Sequence, residues 1–180
     1  MDPNFFIEKY YFHWNVVLKL FLFYNKSTMK TLINKKELLS FISALIENRI
    51  NKSEEIINYI EESIHSETKS TAGDKHDTSR ELLHQERNKA AQNLNNQLMK
   101  RRTLIQLKNH KYSKKVGFGS LLHTNQGWVF IGLSIGNIEF REEEVLCISP
   151  ISPFAKALEG ADQGECIEFN DTSFVIETII

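Results

Sequence analysis

Two aspartates, Asp74 and Asp77, stand at a glycine break between two long polar segments of the sequence. Carboxylate oxygens are the hard ligands that Mg²⁺ prefers. Two of them at an exposed turn, without further protein ligands, would hold Mg²⁺ only weakly, so we expect them to complete a metal site on another molecule. The same positions also suit helix capping, because Gly73 can end one helix and either aspartate can favour the N-terminus of the next.

The segments on both sides of Gly73 have the three- and four-residue spacing of apolar side chains that is typical of helices. Each helix would be about 50 Å long. Two such helices joined by a short break can bury their apolar stripes only against each other, so the sequence predicts a long antiparallel helical hairpin, a coiled coil with its tip near residues 67–78. The stripe of residues 34–66 comprises Leu39, Ile42, Ile46, Ser53, Ile56, Ile60 and Ile64. The weaker stripe of residues 76–108 comprises Leu83, Ala90, Leu94, Leu98, Leu104 or Ile105, and Leu107.

The chain changes character after the basic linker of residues 109–115. Short runs rich in Val, Ile, Phe and Trp follow, and turn signals separate them. One segment has the pattern of a short helix, in which Ser152 suits the N-cap, Pro153 the first helical position and Gly160 the end. We therefore expect a small antiparallel β-sheet domain over residues 113–180 with one short helix packed on it, an α+β arrangement.

Residues 1–28 are rich in aromatic side chains and precede the hairpin domain of residues 29–112. We expect them to be a loosely ordered N-terminal extension, with a membrane-surface anchor as the alternative. Their longest apolar run is too short to span a bilayer, and they fit a signal peptide poorly, which favours a cytoplasmic protein. Cys147 and Cys166 lack metal-binding spacing and are expected to be reduced, buried thiols.

The net charge of −1 conceals an uneven distribution of charge along the chain. From Val116 onward, ten acidic side chains face only Arg141 and Lys156 as basic side chains, so the other basic residues lie in the first 115 residues. A split of this kind indicates two parts with different partners. It disfavours a general nucleic-acid-binding protein, which would carry a net basic surface.

Two separated stretches of the sequence resemble the Gre transcript-cleavage factors of bacterial RNA polymerase (GreA and GreB). The first is the tip, AGDKHDTSRE, in which Gly73, Asp74 and Asp77 match the family's spacing of glycine and acids. The second is SPISPFAKALEGADQGE, which follows the signature of the family's FKBP-like C-terminal domain. The order of hairpin and then β domain also agrees, and the similarity covers roughly residues 34–180.

The resemblance implies a transcription elongation factor that inserts its hairpin into the secondary channel of RNA polymerase and stimulates cleavage of backtracked RNA. Asp74 and Asp77 would act in trans in the polymerase active site by helping to hold a second Mg²⁺ that is shared with the polymerase. The protein would then be no enzyme itself, would have no cofactor of its own, and would act as a monomer without a membrane. It would meet the nascent RNA 3′ end only indirectly.

The resemblance also implies surfaces that contact the polymerase. The β domain would grip the rim of the channel through Ser149, Pro150, Ser152 and Pro153. Some basic residues of the second helix are expected to face RNA or the acidic walls of the channel, and the alternative for them is a solvated charged face. These residues are Arg80, Arg87, Lys100, Arg101 and Arg102.

Three alternatives stay open at this point. Asp77 is followed by Thr-Ser-Arg where the family usually has Asn-Ala-Glu-Tyr, so the protein could regulate polymerase from the channel without stimulating cleavage. An FKBP-type prolyl isomerase would need a deep aromatic-lined pocket, whereas Trp128, Phe130, Phe154 and Phe169 could equally belong to the core. A stand-alone enzyme is disfavoured, because the six histidines form no evident metal-ligand pair and no Gly-rich phosphate loop is present.

Overall fold

A computed structural model describes the backbone of residues 33–67, 75–111 and 113–180, and the side chains of these residues except 67 and 75–77. The predicted extension of residues 1–28 and the tip residues Gly73 and Asp74 lie outside the described residues. Lys35–Ile180 forms one compact unit, in which a pair of helices precedes a β-sheet.

Helices α1 (Lys35–Glu67) and α2 (Lys75–Asn109) confirm the predicted hairpin, with ends within one residue of the predicted ones. The apolar stripe of α1 is buried as predicted at Ile42, Ile46 and Ile60. The assignment of Ile56 to the stripe was wrong, because this side chain is 52% exposed. The helical period places the next residue, Ile57, on the face of α1 that contacts α2. The side chain of Ile57 is therefore half-buried in place of Ile56.

Polar contacts across the hairpin establish that the two helices are antiparallel, because residue numbers rise along one helix as they fall along the other. On α2, Ala90, Leu104 and Leu107 are buried against α1, and Ile105 is 57% exposed. Leu104 is therefore the stripe residue of the predicted pair. The cross-helix contacts are Lys108 Nζ to Ser43 Oγ at 3.3 Å, Arg101 to Glu47 at 3.6 Å and Arg87 to Glu61 at 2.9 Å.

Six strands form one sheet whose order is β3-β4-β2-β1-β6-β5. Strand β2 pairs in parallel with β4, and the other neighbours are antiparallel, so the sheet is mixed and the predicted antiparallel sheet was wrong in this respect. Strand β3 lies at the edge of the sheet and is antiparallel to β4. Strand β4 lies between β3 and β2, and its chain direction is the same as that of β2. The strands are β1 (Leu121–Thr124), β2 (Gly127–Ile131), β3 (Gly136–Phe140), β4 (Glu143–Ile148), β5 (Cys166–Phe169) and β6 (Thr172–Ile179).

The predicted short helix is present as α3 (Pro153–Leu158). Its N-cap is Ser152, whose hydroxyl oxygen accepts a hydrogen bond from the backbone N–H of Ala155 at 3.2 Å. Ala155 and Leu158 face the sheet and are buried in a continuous apolar core. The other core residues are Val116, Leu122, Val129, Ile131, Ala161, Ile176 and Ile179. The hairpin and the helix-backed sheet together are an α+β arrangement.

The base of the hairpin meets the sheet first through Leu107, which is 2% exposed. Gly132, which follows β2, makes this approach possible. A Cβ at Gly132 would lie 2.9 Å from both δ-carbons of Leu107, which is closer than Cβ atoms normally come to their neighbours. The positive φ of +84° at Gly119 brings a second stretch of backbone to the same leucine.

A second contact joins the start of α1 to the turn between β3 and β4. The carboxylate of Glu37 lies 2.6 Å from the guanidinium of Arg141, and the rings of Phe41 and Phe140 are 5.3 Å apart. Arg141 has a φ of 54°, the left-handed conformation that the tight turn between these strands requires. Its guanidinium also lies 5.7 Å from the ring centre of Phe140, so one turn supplies both an ionic and an aromatic contact to the hairpin.

Candidate functional site

The tip of the hairpin is only partly within the described residues. Helix α2 begins at Lys75, the residue after Asp74 in the sequence, and the backbone of Asp77 therefore falls in its first turn. Asp77 is 30 residues from Leu107 at the base, a distance of about 45 Å along the helix. Asp74 and the side chain of Asp77 lie outside the described residues, so their use as metal ligands stays a prediction.

The four predicted channel-contact arginines of α2 divide into two groups. Arg87 and Arg101 are paired with Glu61 and Glu47 of α1, so these two guanidinium groups also join the helices. Arg80 and Arg102 have exposed side chains. The sequence alone could not separate the groups, because the pairing depends on which face of α2 meets which acid of α1.

Lys100, also on α2, is held near a second cation. Partial burial and the positive charge of Arg49 on α1 both lower the pKa of Lys100, with burial the larger cause. From Arg87 to Asn109, α2 carries six Lys and Arg side chains and no acidic ones, whereas α1 from Ser53 to Glu67 carries five acidic side chains and no Lys or Arg. The outer half of α1 is thus acidic, and the inner two-thirds of α2 is basic.

We expect the Arg87–Glu61 pair to contribute little stability, because both side chains are almost half exposed. Replacing Arg87 by Gln should lower the free energy of unfolding by less than about 1 kcal/mol, and the difference should shrink in high salt. Urea unfolding at low and high ionic strength measures this. Arg102→Gln is the matched control and should leave the unfolding midpoint unchanged, and a loss well above this bound for Arg87→Gln would contradict the prediction.

The predicted polymerase-contact residues of the β domain lie in the loop between β4 and α3, except for Pro153, which is the first residue of α3. The carbonyl of Ser149 accepts from the N–H of Ser152 at 3.0 Å, and the hydroxyl oxygen of Ser149 accepts from the N–H of Ile151 at 3.4 Å. Pro150 is half-buried, and Pro153 is exposed at the start of the helix. The structure therefore brings Ser149, Pro150, Ser152 and Pro153 together on one tight surface loop.

The same loop contains Ile151, a residue for which the sequence predicted no role. Its side chain is 78% exposed, the largest exposed fraction among the large apolar side chains that the structure describes. The available signal was its position between two Ser-Pro pairs, because two consecutive turn-forming pairs leave the residue between them outside the core.

The aromatic side chains of the β domain occupy two different settings. Trp128 and Phe130 are buried, at 4% and 0% exposure, and belong to the interior. The ring of Phe154 on α3 packs against Phe169 at 5.0 Å and Phe174 at 4.6 Å, measured between ring centres. These rings fill the space between the helix and the outer strands, a setting that suits core packing.

The two cysteines differ, and the prediction that both are buried was wrong for one of them. Cys147 is buried in β4, and burial raises the pKa of its thiol to about 12, so it stays protonated. Cys166 begins the edge strand β5 and is exposed, because an outward position on an edge strand has no neighbour to cover it. Three strands separate β4 from β5 in the sheet, so the two cysteines are too far apart to form a disulfide with each other.

Within the described part of the chain, no three His, Cys, Asp or Glu side chains come together in a group that could hold a metal ion. Among the same residues, no helix combines the length and the apolar composition needed to cross a membrane. Comparison of the chain with protein-family models, with curated proteins and with solved structures finds no match.

Proposed function

We propose that this protein is a transcription elongation factor that enters the secondary channel of bacterial RNA polymerase with its hairpin and stimulates cleavage of backtracked RNA. The observation that carries the proposal is the hairpin itself. Two helices of 33 and 35 residues pack along each other, and the Gly-Asp-x-x-Asp sequence that resembles the Gre tip spans the start of the second helix in the sequence. Such an arm can reach an active site that a compact domain cannot enter.

In this proposal Asp74 and Asp77 deliver two carboxylates to the polymerase active site. A Mg²⁺ ion held there would activate a water molecule and stabilise the leaving oxygen of the RNA. The aspartates bind from one side, and the polymerase supplies the remaining ligands. The protein thus assists the polymerase's own nuclease reaction and acts in the cytoplasm, where that polymerase works.

The basic side chains of α2 support the same placement. Arg80 and Arg102 are exposed on the arm and are suited to contact RNA phosphates or acidic channel walls. Arg87 and Arg101 have a second role in joining the helices, so their replacement would combine two effects. Arg80 and Arg102 are the better positions for testing contact with the channel.

The loop Ser149–Pro153 supports a separate grip on the outside of the polymerase. Its backbone is fixed by hydrogen bonds at Ser149 and by the cap at Ser152, so little conformational entropy is lost when it docks. Exposed Ile151 supplies an apolar anchor at its centre. We propose that this loop, with its resemblance to the Gre signature, contacts the rim of the channel.

A second candidate function is regulation of polymerase from the same channel without stimulated cleavage. The observation that favours it is the tip sequence, since Thr-Ser-Arg follows Asp77 in place of the usual Asn-Ala-Glu-Tyr. Cleavage assays on stalled, backtracked RNA polymerase with Mg²⁺, with and without the protein, separate the two candidates. Faster cleavage supports the first, binding without faster cleavage supports the second, and absence of binding rejects both.

We expect Ile151→Asp to weaken polymerase binding about tenfold, because a charged side chain cannot enter an apolar contact without losing its hydration. The unfolding midpoint should not change, since the wild-type side chain is 78% exposed. Equilibrium binding to core polymerase and thermal unfolding measure the two effects. Ala157→Asp at an exposed position of α3 is the control, because it adds the same single negative charge, and equal losses in both variants would contradict a specific role for Ile151.

A further inference from the structure

Helix α3 covers only part of the sheet on its own side. Among the described residues, the fully buried core beneath it takes strand side chains from β1, β2 and β6, and none from β3 or β4. Val129 of β2 is opposite Leu146 of β4, and Leu146 is opposite Asn137 of β3, so these three side chains share that side. Leu146 is half-buried and Asn137 is exposed. This open region, the β3–β4 face, comprises Asn137, Glu139, Glu144, Leu146 and Ile148.

Two carboxylates are neighbours on the β3–β4 face. Glu139 and Glu144 are directly opposite in register on the two antiparallel strands, and both side chains are exposed. Among the described residues, neither of them forms an ion pair. Arg141, in the turn between the strands, is paired with Glu37 of α1 instead. Like charges that are directly opposite destabilise a sheet, so these two glutamates do not serve the stability of the free protein.

The other end of the β3–β4 face is apolar. Glu144 and Ile148 are four residues apart on β4, which places them about 13 Å from each other along the strand. Ile148 is half-buried, and the loop that follows it carries the exposed Ile151. The surface therefore runs from two carboxylates to an apolar anchor in the loop before α3. Protein interfaces combine such features, with an apolar centre and a charged periphery.

The charge of the whole β domain favours a basic partner. From Val116 onward its ten acidic side chains face only two Lys or Arg side chains, and a surface of one sign attracts a partner of the opposite sign. Glu168 and Asp171 lie on β5 and in the turn after it, at the opposite edge of the sheet. A general attraction would depend on these two acids as well, whereas a specific contact would depend on Glu139 and Glu144.

We propose that the β3–β4 face extends the docking surface of the loop Ser149–Pro153 and contacts a basic part of the channel rim on RNA polymerase. This inference rests on the function proposed above, to which it adds the chemistry of the partner. Arg or Lys side chains of the polymerase would lie opposite Glu139 and Glu144, beside an apolar recess for Ile151. Positive charge placed there would relieve the repulsion between the two glutamates, so the contact favours the bound state.

Equilibrium binding of the full-length protein to core RNA polymerase, at low and at high salt, tests the inference. We expect Glu139→Gln/Glu144→Gln to weaken binding about tenfold at low salt, and the difference from the wild type should shrink at high salt. Glu168→Gln/Asp171→Asn is the matched control, because it removes the same charge from two exposed positions, and it should bind nearly as the wild type does. Equal losses in the two double variants would overturn the proposal, because they would assign the effect to the general charge of the domain.

The failure of this inference is distinguishable from the failure of the proposed function. Wild-type protein that does not bind polymerase would reject both. Wild-type binding that Glu139→Gln/Glu144→Gln leaves unchanged would reject only the basic contact. Thermal unfolding checks the fold of the variant, whose midpoint should not fall, since both side chains are exposed.

Two further measurements complete the test. If the double variant does not fold, Glu139→Gln alone decides, with about threefold weaker binding expected and unchanged binding rejecting the contact. Sedimentation of the protein without polymerase examines a second copy of the chain as the occupant. We expect a monomer, and a dimer that Glu139→Gln/Glu144→Gln dissociates would assign the β3–β4 face to self-association and overturn the proposal.

Discussion

Stimulated cleavage of backtracked RNA is expected to fall at least about 100-fold when Asp74 and Asp77 are both replaced by Asn. Asparagine keeps the shape of the side chain but removes the negative charge that a Mg²⁺ ligand supplies. The rate of transcript shortening in stalled polymerase complexes measures the effect, with wild-type protein and the double variant compared at the same Mg²⁺ concentration. Higher Mg²⁺ should restore part of the activity if the aspartates act through the metal.

The matched control is Glu54→Gln/Glu55→Gln, which removes two exposed carboxylates from α1 of the same hairpin. With this variant, polymerase should cleave the RNA at nearly the rate that the wild-type protein gives, because these acids lie well away from the tip. Both double variants should bind polymerase with unchanged affinity, which separates chemistry from docking. Full cleavage activity in the Asp74→Asn/Asp77→Asn protein would reject the metal-ligand role, and equal losses in both variants would assign the effect to general charge.

The second large effect is expected for stability at the base of the hairpin. Leu107→Ala should lower the free energy of unfolding by about 2–5 kcal/mol, because it removes a fully packed side chain and leaves a cavity between α2 and the sheet. Urea unfolding followed by circular dichroism measures the loss. Ile105→Ala, two residues away and 57% exposed, is the control and should change the free energy of unfolding by no more than about 0.5 kcal/mol.

A substitution at Gly132 tests the same contact between Leu107 and the sheet. Gly132→Ala alone should destabilise the protein, since the new Cβ would lie 2.9 Å from the δ-carbons of Leu107. In the Leu107→Ala background those carbons are gone, so the added methyl group should fill part of the cavity and cost less or stabilise. A double-mutant cycle measures this coupling. Strictly additive effects would mean that Leu107 is not what limits the space at Gly132.

The hairpin could be predicted from the sequence because its cause is local. Apolar residues at helical spacing determine both the existence of each helix and the face that it buries. The predicted ends of α1 and α2 are therefore within one residue of the observed ends. The error at Ile56 also has a local cause, since either of two adjacent isoleucines fits the period within a residue. The N-cap at Ser152 and the short helix after it were predictable for the same reason.

The sheet order and the packing of the hairpin on the sheet depend on contacts that are distant in sequence. Turn signals report that two consecutive strands pair, but the parallel pairing of β2 with β4 is decided by side-chain packing across the whole sheet. The hydrogen bond from the ammonium of Lys35 to the oxygen of Ile180 joins two residues separated by 145 positions. Likewise, the pairing of Arg87 with Glu61 requires the register of the hairpin, which composition and spacing do not specify.

The length of the hairpin turns small angles at its base into large displacements at its tip. With about 45 Å of helix between Leu107 and Asp77, a tilt of about one degree at the base would move the tip by about 0.8 Å. Metal–ligand distances tolerate deviations of only about 0.2 Å. Contacts with the walls of a channel would have to correct any larger displacement of the tip. If the hairpin acts as proposed, the position of Asp77 before any contact with a channel would depend on the packing at the base of the hairpin, where Leu107 meets Gly132 and Glu37 meets Arg141.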